Sequence, residues 1–374
     1  MTESLIIFVD SLPYATLSRM PFLAAAEESW PIVPGFGYSV NIHAELFAGL
    51  LPDDVGHFGE WTYDPAHSPG WKWRRFLPLL DTLCRPYLLN RGLQHILIQS
   101  YRPGRISINI PLRHLDKFAL TGKHILENPR TYPHPTIFSA FPQLRVLTFP
   151  QLPKGERDRA LVKWALESIP DVPSLLVPLP DLDGFGHAFG VDGDPYQAHL
   201  EFLDTSIANL VAQYQASHPQ GHIFIISDHG MVNVTQGIHL KIEEGLGKAS
   251  SETYIYFTDA NLLRVWVLDE GKRDAVRNYL QQLQGGQLVT AEERQTYGLT
   301  SPRFGDFIYV LDEGLAFEPS TFARHKPVGM HGYHPLAPGQ QAVCIHLGAS
   351  WQGPPPARMA DVYQMMHTAL AGVW

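Results

Sequence analysis

Cysteine is scarce: Cys84 and Cys344 are the only two in 374 residues. Two cysteines build neither a disulfide framework nor a Cys-rich zinc motif. Long apolar runs are missing as well, and no stretch approaches the length of a membrane span. The N-terminal run Leu5 to Val9 is too short for a signal peptide and ends in Asp10. These absences lead us to expect a soluble, cytoplasmic protein. Basic residues are not in excess: 28 Lys and Arg face 37 Asp and Glu, a formal net charge of −9. That balance argues against a nucleic-acid polymer as partner and leaves room only for a local basic patch. No internal repeat is present. What remains is ordinary globular composition, 45% apolar and 17% charged, long enough for one large α/β domain with an insertion or for two domains. Histidine is abundant, with eighteen copies, which matters only where they converge.

The most informative stretch is HIFIISDHGM, residues 222–231. Its β-branched apolar run suits a strand buried on both faces of a parallel sheet. It ends in Ser227-Asp228-His229-Gly230, where the glycine permits a sharp turn. Chemistry in open α/β sheets collects beyond the carboxyl ends of such strands. An adjacent Asp and His offer a hard oxygen and an imidazole nitrogen, a pair that suits a divalent ion. Taken alone, the same residues would serve as a turn, with Asp228 capping a helix. The first strand, Leu5 to Val9, repeats the design and ends in Asp10, which would otherwise cap a helix over Tyr14 to Ala26.

Ser39 stands before Ile42, Leu46, Phe47 and Leu50, which have helical spacing, with Gly49 and Pro52 as stops. A serine there is most often an N-cap. It is also where a nucleophile would face an anion held by backbone N–H groups and the helix dipole. Further on, Ser174 to Leu179 predicts another strand, leading into a glycine-containing loop with Asp183 and His187 four residues apart. Asp194, as N-cap, opens a helix whose face carries Tyr196, Leu200, Leu203, Ile207, Leu210 and Tyr214. Strands are expected near 253–258, 262–268, 306–311 and 342–347, and a last helix carries Met359, Val362, Tyr363, Met366 and Leu370. Between 62 and 150 the pattern weakens. Strands are expected at His95 to Gln99 and Leu144 to Phe149, and Arg102, Arg105 and Arg113 either hold a substrate anion or form solvated surface pairs.

Asp10, Ser39, Asp183-x-x-Gly-His187, Ser-Asp228-His229-Gly and Gly-x-His331-Gly follow in one order along the chain. The set resembles the alkaline phosphatase superfamily, nearest its type I phosphodiesterase/nucleotide pyrophosphatase branch. The resemblance covers roughly residues 1–65 and 172–374. It implies an α/β fold with a central, mostly parallel sheet flanked by helices, one catalytic domain over 1–374, and a cap-like insertion at approximately 66–150. Gly49-Leu50-Leu51-Pro52 matches the segment that places the nucleophile ten residues earlier, at Ser39. Asp10, Asp228, His229 and Ser39 would bind one ion, and Asp183, His187 and His331 a second. Two such ions roughly 4 Å apart clamp the attacking and leaving oxygens of an in-line displacement. Zn²⁺ suits these ligands, with Mn²⁺ an alternative.

The implied activity is hydrolysis of a small-molecule phosphoric ester through a phosphoseryl intermediate. A phosphotransferase would share the first half-reaction, and a metal-binding protein of this fold could lack turnover. Sulfatase chemistry is disfavoured because no C/S-x-P-x-R segment is present. Two departures stand out. Val55-Gly56 replaces the family's His-Gly, and the phosphate-contacting Asn falls at Glu60. Asn41 and His43 lie near enough to Ser39 in sequence to supply a replacement donor, although Asn41 equally suits a helix start. Glu60 is expected to contact the leaving group.

Overall fold

The computed structural model describes residues 3–84, 86–101, 108–120, 124–127, 129–149 and 151–372. Arg102 and Arg105 lie outside the described residues. The chain divides into two compact units: Met1–Leu51, Lys123–Asn233 and Val328–Trp374 form the first, and Pro52–Gly122 with Val234–Pro327 the second. Residues 66–122 of the expected insertion therefore fall in the second unit and 123–150 in the first.

Continuous apolar runs need cover on both sides, and the first unit supplies it. Among the described residues its sheet has six strands, in the order Glu28–Ile32, Ala342–Gly348, His222–Ile226, Ser4–Val9, Ser174–Leu179 and Arg145–Val146. Ser4–Val9 runs parallel to both Ser174–Leu179 and His222–Ile226, with Val9 opposite Leu179 and Phe8 opposite Ile226. Ala342–Gly348 lies antiparallel to His222–Ile226. Alternate side chains feed two cores. Leu5, Ile7, Val177 and Ile225 pack with helices Arg157–Ser168 and Asp194–Ser217, while Ile6, Phe8, Leu176 and Phe224 pack with helices Ser39–Ala48 and Met359–Ala371. Truncating one such residue, for instance Ile225→Ala, is worth about 2–5 kcal/mol.

Several local expectations are corrected. The helix over Tyr14 to Ala26 is two short ones, Tyr14–Arg19 and Pro21–Ala24, because Pro21 cannot continue the first. His95 to Gln99 belongs to a helix, Tyr87–Tyr101; so short an apolar run does not distinguish strand from helix. Only Arg145–Val146 of Leu144 to Phe149 is strand, at the sheet edge. Helix Asp194–Ser217 is capped by Gly193, so Asp194 is its first residue. The residues after Leu179 are not a loop: Asp181–Phe189 is helical.

In the second unit Tyr254–Thr258, Leu262–Val267, Phe307–Leu311 and Gly286–Leu288 form an antiparallel sheet in that order. Arg113 donates to Asp81 at 2.7 Å in a partly buried pair, not a solvated surface one.

At the sheet end away from Asp10, His222 Nδ1 lies 3.0 Å from His346 Nε2, and His346 Nδ1 lies 2.7 Å from Glu28 Oε2. Burial, then the charge on His346, pushes His222 down to about 4 from an ordinary 6.5. The unfolded chain then takes up a proton that the folded one refuses. This contribution to stability is complete above the unfolded value and is lost as pH falls from about 6.5 toward about 4. Urea unfolding across that window should show a flatter pH slope for His222→Gln than for wild type. Equal slopes would remove His222 from the acid response.

Candidate active site

The three central strands end side by side, Val9 passing straight into Asp10, Leu179 into Pro180-Asp181 and Ile226 into Ser227-Asp228. Asp10 N donates to Leu179 O at 3.1 Å, joining the first two strand ends. Ser11 follows with φ of 66°, a left-handed backbone that a non-glycine residue seldom adopts. That conformation lets Ser11 N donate to Asp228 Oδ1 at 3.1 Å, and His229 N donates to the same oxygen at 3.1 Å. The other Asp228 oxygen lies 3.0 Å from His43 Nε2 and 3.1 Å from His229 Nε2.

Helix Ser39–Ala48 ends at Gly49 in the left-handed conformation, φ 67°, as a C-cap requires. Ser39 is its first residue and Tyr38 its N-cap, so the N-cap reading of Ser39 is corrected. Asn41 secures this start: its Oδ1 accepts from Tyr38 N at 3.1 Å, and its Nδ2 donates to Phe36 O at 2.7 Å. Ser39 Oγ lies 2.9 Å from His229 Nε2. One turn on, His43 stands edge-on to Phe8 and Phe47 and reaches Asp228.

Asp183 and His187 are i, i+4 neighbours on helix Asp181–Phe189, with His187 Nε2 3.3 Å from Asp183 Oδ1. Two glycines bring His331 to this helix. A Cβ on Gly329 would sit 2.3 Å from the Gly186 carbonyl oxygen, and one on Gly186 would sit 2.9 Å from Met231. His331 Nε2 then lies 3.6 Å from Asp183 Oδ1, and its ring stacks on that of His229, with centroids 3.7 Å apart.

The donor set suits cations. His229 Nδ1 faces Gly230 O at 2.9 Å, and His187 Nδ1 faces Gly329 O at 2.9 Å. Each of these Nδ1 atoms must carry its proton, so each Nε2 turns a lone pair toward carboxylate oxygens unless a second proton or an ion sits there. Asp10 Oδ1 is buried, accepts no hydrogen bond from the described residues and lies 3.8 Å from His229 Nε2. Burial, then the charges of Asp228 and Asp183, push the Asp10 carboxyl well above the usual range. Burial would also raise Asp228 and Asp183, but adjacent histidines outweigh it: His229 and His43 hold Asp228 low, and His187 and His331 hold Asp183 low. Burial would lower His229, but Asp228 outweighs it and raises the imidazole. His331 is held well below its ordinary value by burial and the charge on His229. Two groups have ligand atoms all within 4.8 Å of one another: Asp10, Asp228 and His229, and Asp183, His229 and His331. His229 belongs to both, whereas His187 approaches the second group through Asp183.

All seven expected ligand residues thus lie in the first unit. Glu60 lies in the second, just before strand Trp61–Tyr63. Its turn is held by buried Arg264, whose Nη1 donates to Phe58 O at 3.2 Å and Trp61 O at 2.8 Å. The sequence suggests His43 only as a phosphate donor, yet it contacts a carboxylate; its four-residue spacing from Ser39 is the available signal. Nothing in the sequence marks Ser11 as left-handed.

A mostly parallel sheet flanked by helices, with carboxylates and imidazoles beyond its carboxyl ends, agrees with the expected alkaline-phosphatase-like α/β fold. The family model for type I phosphodiesterase / nucleotide pyrophosphatase matches residues 145–334, half of the chain, and the protein belongs to that family of phosphoric ester hydrolases. No curated protein matches the sequence. Among solved structures, the chain is similar to murine ectonucleotide pyrophosphatase/phosphodiesterase 5, an inactive form in complex with AMP. Identity is 14%, the TM-score 0.65, and the match covers 99% of this chain and 95% of the other. A second structure of the murine protein gives 15% identity and a TM-score of 0.62 over the same shares. The human counterpart gives 13% and 0.65, again over 99% and 95%. Among the described residues no helix is long and apolar enough to cross a membrane.

Proposed function

We propose that the protein hydrolyses phosphoric esters through a phosphoseryl intermediate on Ser39, with two divalent ions, Zn²⁺ best and Mn²⁺ next by ligand type. The observation that carries this reading is Ser39 Oγ at 2.9 Å from His229 Nε2, inside the Asp10, Asp228 and His229 cluster. Asp10, Asp228, His229 and Ser39 would hold one ion, and Asp183, His187 and His331 the other. The ions supply the charge that lowers the serine pKa and balances the phosphoryl and leaving oxygens. Ser39 loses its proton to solvent, forms the O–P bond as the ester oxygen departs, and is freed when water attacks phosphorus. His43 and the Ser11 and His229 amides hold the Asp228 carboxylate in place, and helix Ser39–Ala48 directs its positive end at the anion. The two free thiols fit a reducing, cytoplasmic setting.

Purified, metal-stripped protein should gain turnover of p-nitrophenyl mono- or diesters when Zn²⁺ is restored, with up to two ions bound per chain. The AMP complex of the murine relative supports adding nucleotide esters to the panel. Metal binding with no release from any ester would reduce the protein to a binding protein, while release only in the presence of an alcohol acceptor would make it a phosphotransferase.

A further inference from the structure

The second unit exposes apolar side chains that it does not bury. Helix Leu77–Leu83 buries Leu77 but leaves Leu79 and Leu83 59% and 63% exposed. One turn apart, they share a face. Helix Tyr87–Tyr101 buries Ile98, while Leu89 and Ile96, nearly superposed at a spacing of seven, are 58% and 64% exposed. An apolar outer face on two successive helices departs from the amphipathic pattern of a surface helix. Just before them runs Trp71-Lys72-Trp73-Arg74-Arg75-Phe76, exposed throughout. The Arg74 guanidinium sits 3.9 Å from the centre of the Trp71 ring.

We propose that the 71–76 segment and the exposed apolar faces of helices Leu77–Leu83 and Tyr87–Tyr101 form a peripheral docking surface for an anionic lipid bilayer. Charge selects the occupant. The segment WKWRRF has three cations and no acid in a chain whose formal charge is −9. Isolated cations within an acidic protein match an anionic partner, and tryptophan interleaved with Lys and Arg suits the headgroup boundary, where rings bury and charges meet lipid phosphates. The leucine and isoleucine faces add shallow apolar insertion, without a span. A second copy docked through this same patch on a two-fold axis would bring two cationic, acid-free segments into one interface, which disfavours that occupant.

Co-sedimentation of the full chain with vesicles tests this directly. The protein should pellet with vesicles containing phosphatidylserine, stay in solution with phosphatidylcholine alone, and release at high salt, where screening is strong. Arg74→Gln/Arg75→Gln should weaken binding about tenfold or more, and Trp73→Ser/Phe76→Ser should weaken it comparably. Both variants should keep the wild-type melting temperature and turnover of a soluble aryl ester. Equal binding to neutral and anionic vesicles, or none to either, would overturn the proposal. So would self-association by sedimentation velocity that the Trp73/Phe76 variant abolishes in a chain that does not bind vesicles.

Discussion

Ser39→Ala is expected to lower ester turnover by about 10³-fold or more while leaving the fold and the bound metal almost unchanged. The side chain removed is one hydroxyl, and its contact is His229 Nε2 at 2.9 Å. Helix Ser39–Ala48 should survive, because its start is secured by Tyr38 and Asn41 rather than by Ser39. Circular dichroism and metal content would establish that survival, and initial rates with p-nitrophenyl esters would measure the loss. In wild type, acid quenching during turnover should trap phosphate on the peptide containing Ser39. A variant that works within about tenfold of wild type would leave the hydroxyl as a minor ligand, and the nucleophile would have to be sought elsewhere.

Asp10→Asn should move stability and metal binding in opposite directions. Without an ion, the Asp10 carboxyl is buried beside two other carboxylates, and its pKa is raised by that burial and by Asp228 and Asp183. An acid with a raised folded pKa binds its proton more tightly in the folded state. The metal-free protein therefore loses stability as pH rises from the unfolded carboxylate value through the folded one. An amide removes that titration. At neutral pH the metal-free variant should melt higher, by roughly 1–2 °C for each kcal/mol of repulsion relieved in a chain of this length. Divalent-ion affinity should meanwhile fall by about 100-fold or more, and turnover with it. Calorimetry with and without Zn²⁺ reads both effects. A lower melting temperature for the metal-free variant would mean that Asp10 contributes a favourable contact rather than repulsion.

The parts of the fold legible in the sequence are those under the tightest constraint. Ser174–Leu179 and His222–Ile226 match their expected bounds because a strand covered on both faces must be apolar throughout. Of the proposed ligand residues, Asp10, Asp228 and His229 are legible for the same reason, since they follow such strand ends, whereas Ser39, Asp183, His187 and His331 are legible only through the family resemblance. Helix Asp181–Phe189 was not, because Gly184 and Gly186 read as loop residues; Gly186 is there to admit Met231 and the Gly329 backbone, a tertiary demand. The apolar 95–99 run read as strand because its exposed Ile96 hides the helical alternation. Ser11 acts through the folded backbone and leaves no local pattern, while His43 reaches a carboxylate far along the chain and leaves only its four-residue spacing from Ser39.

The interleaving of the two units has a consequence for biosynthesis. Ser4 pairs with Ser174 and His222, so the first strand emerges from the ribosome long before either neighbour. At typical elongation rates it waits on the order of ten to thirty seconds, a bare apolar edge that favours chaperone capture. Val234–Pro327 is then made before Val328–Trp374 returns to the first unit with His331 and strand Ala342–Gly348. A nascent chain arrested before residue 328 would hold Asp10, Asp183, Asp228 and His229 and still lack the last imidazole. The Asp183, His187 and His331 set that we propose for the second ion is therefore completed only late in translation, whereas the Asp10, Asp228 and His229 group is already complete in the arrested chain.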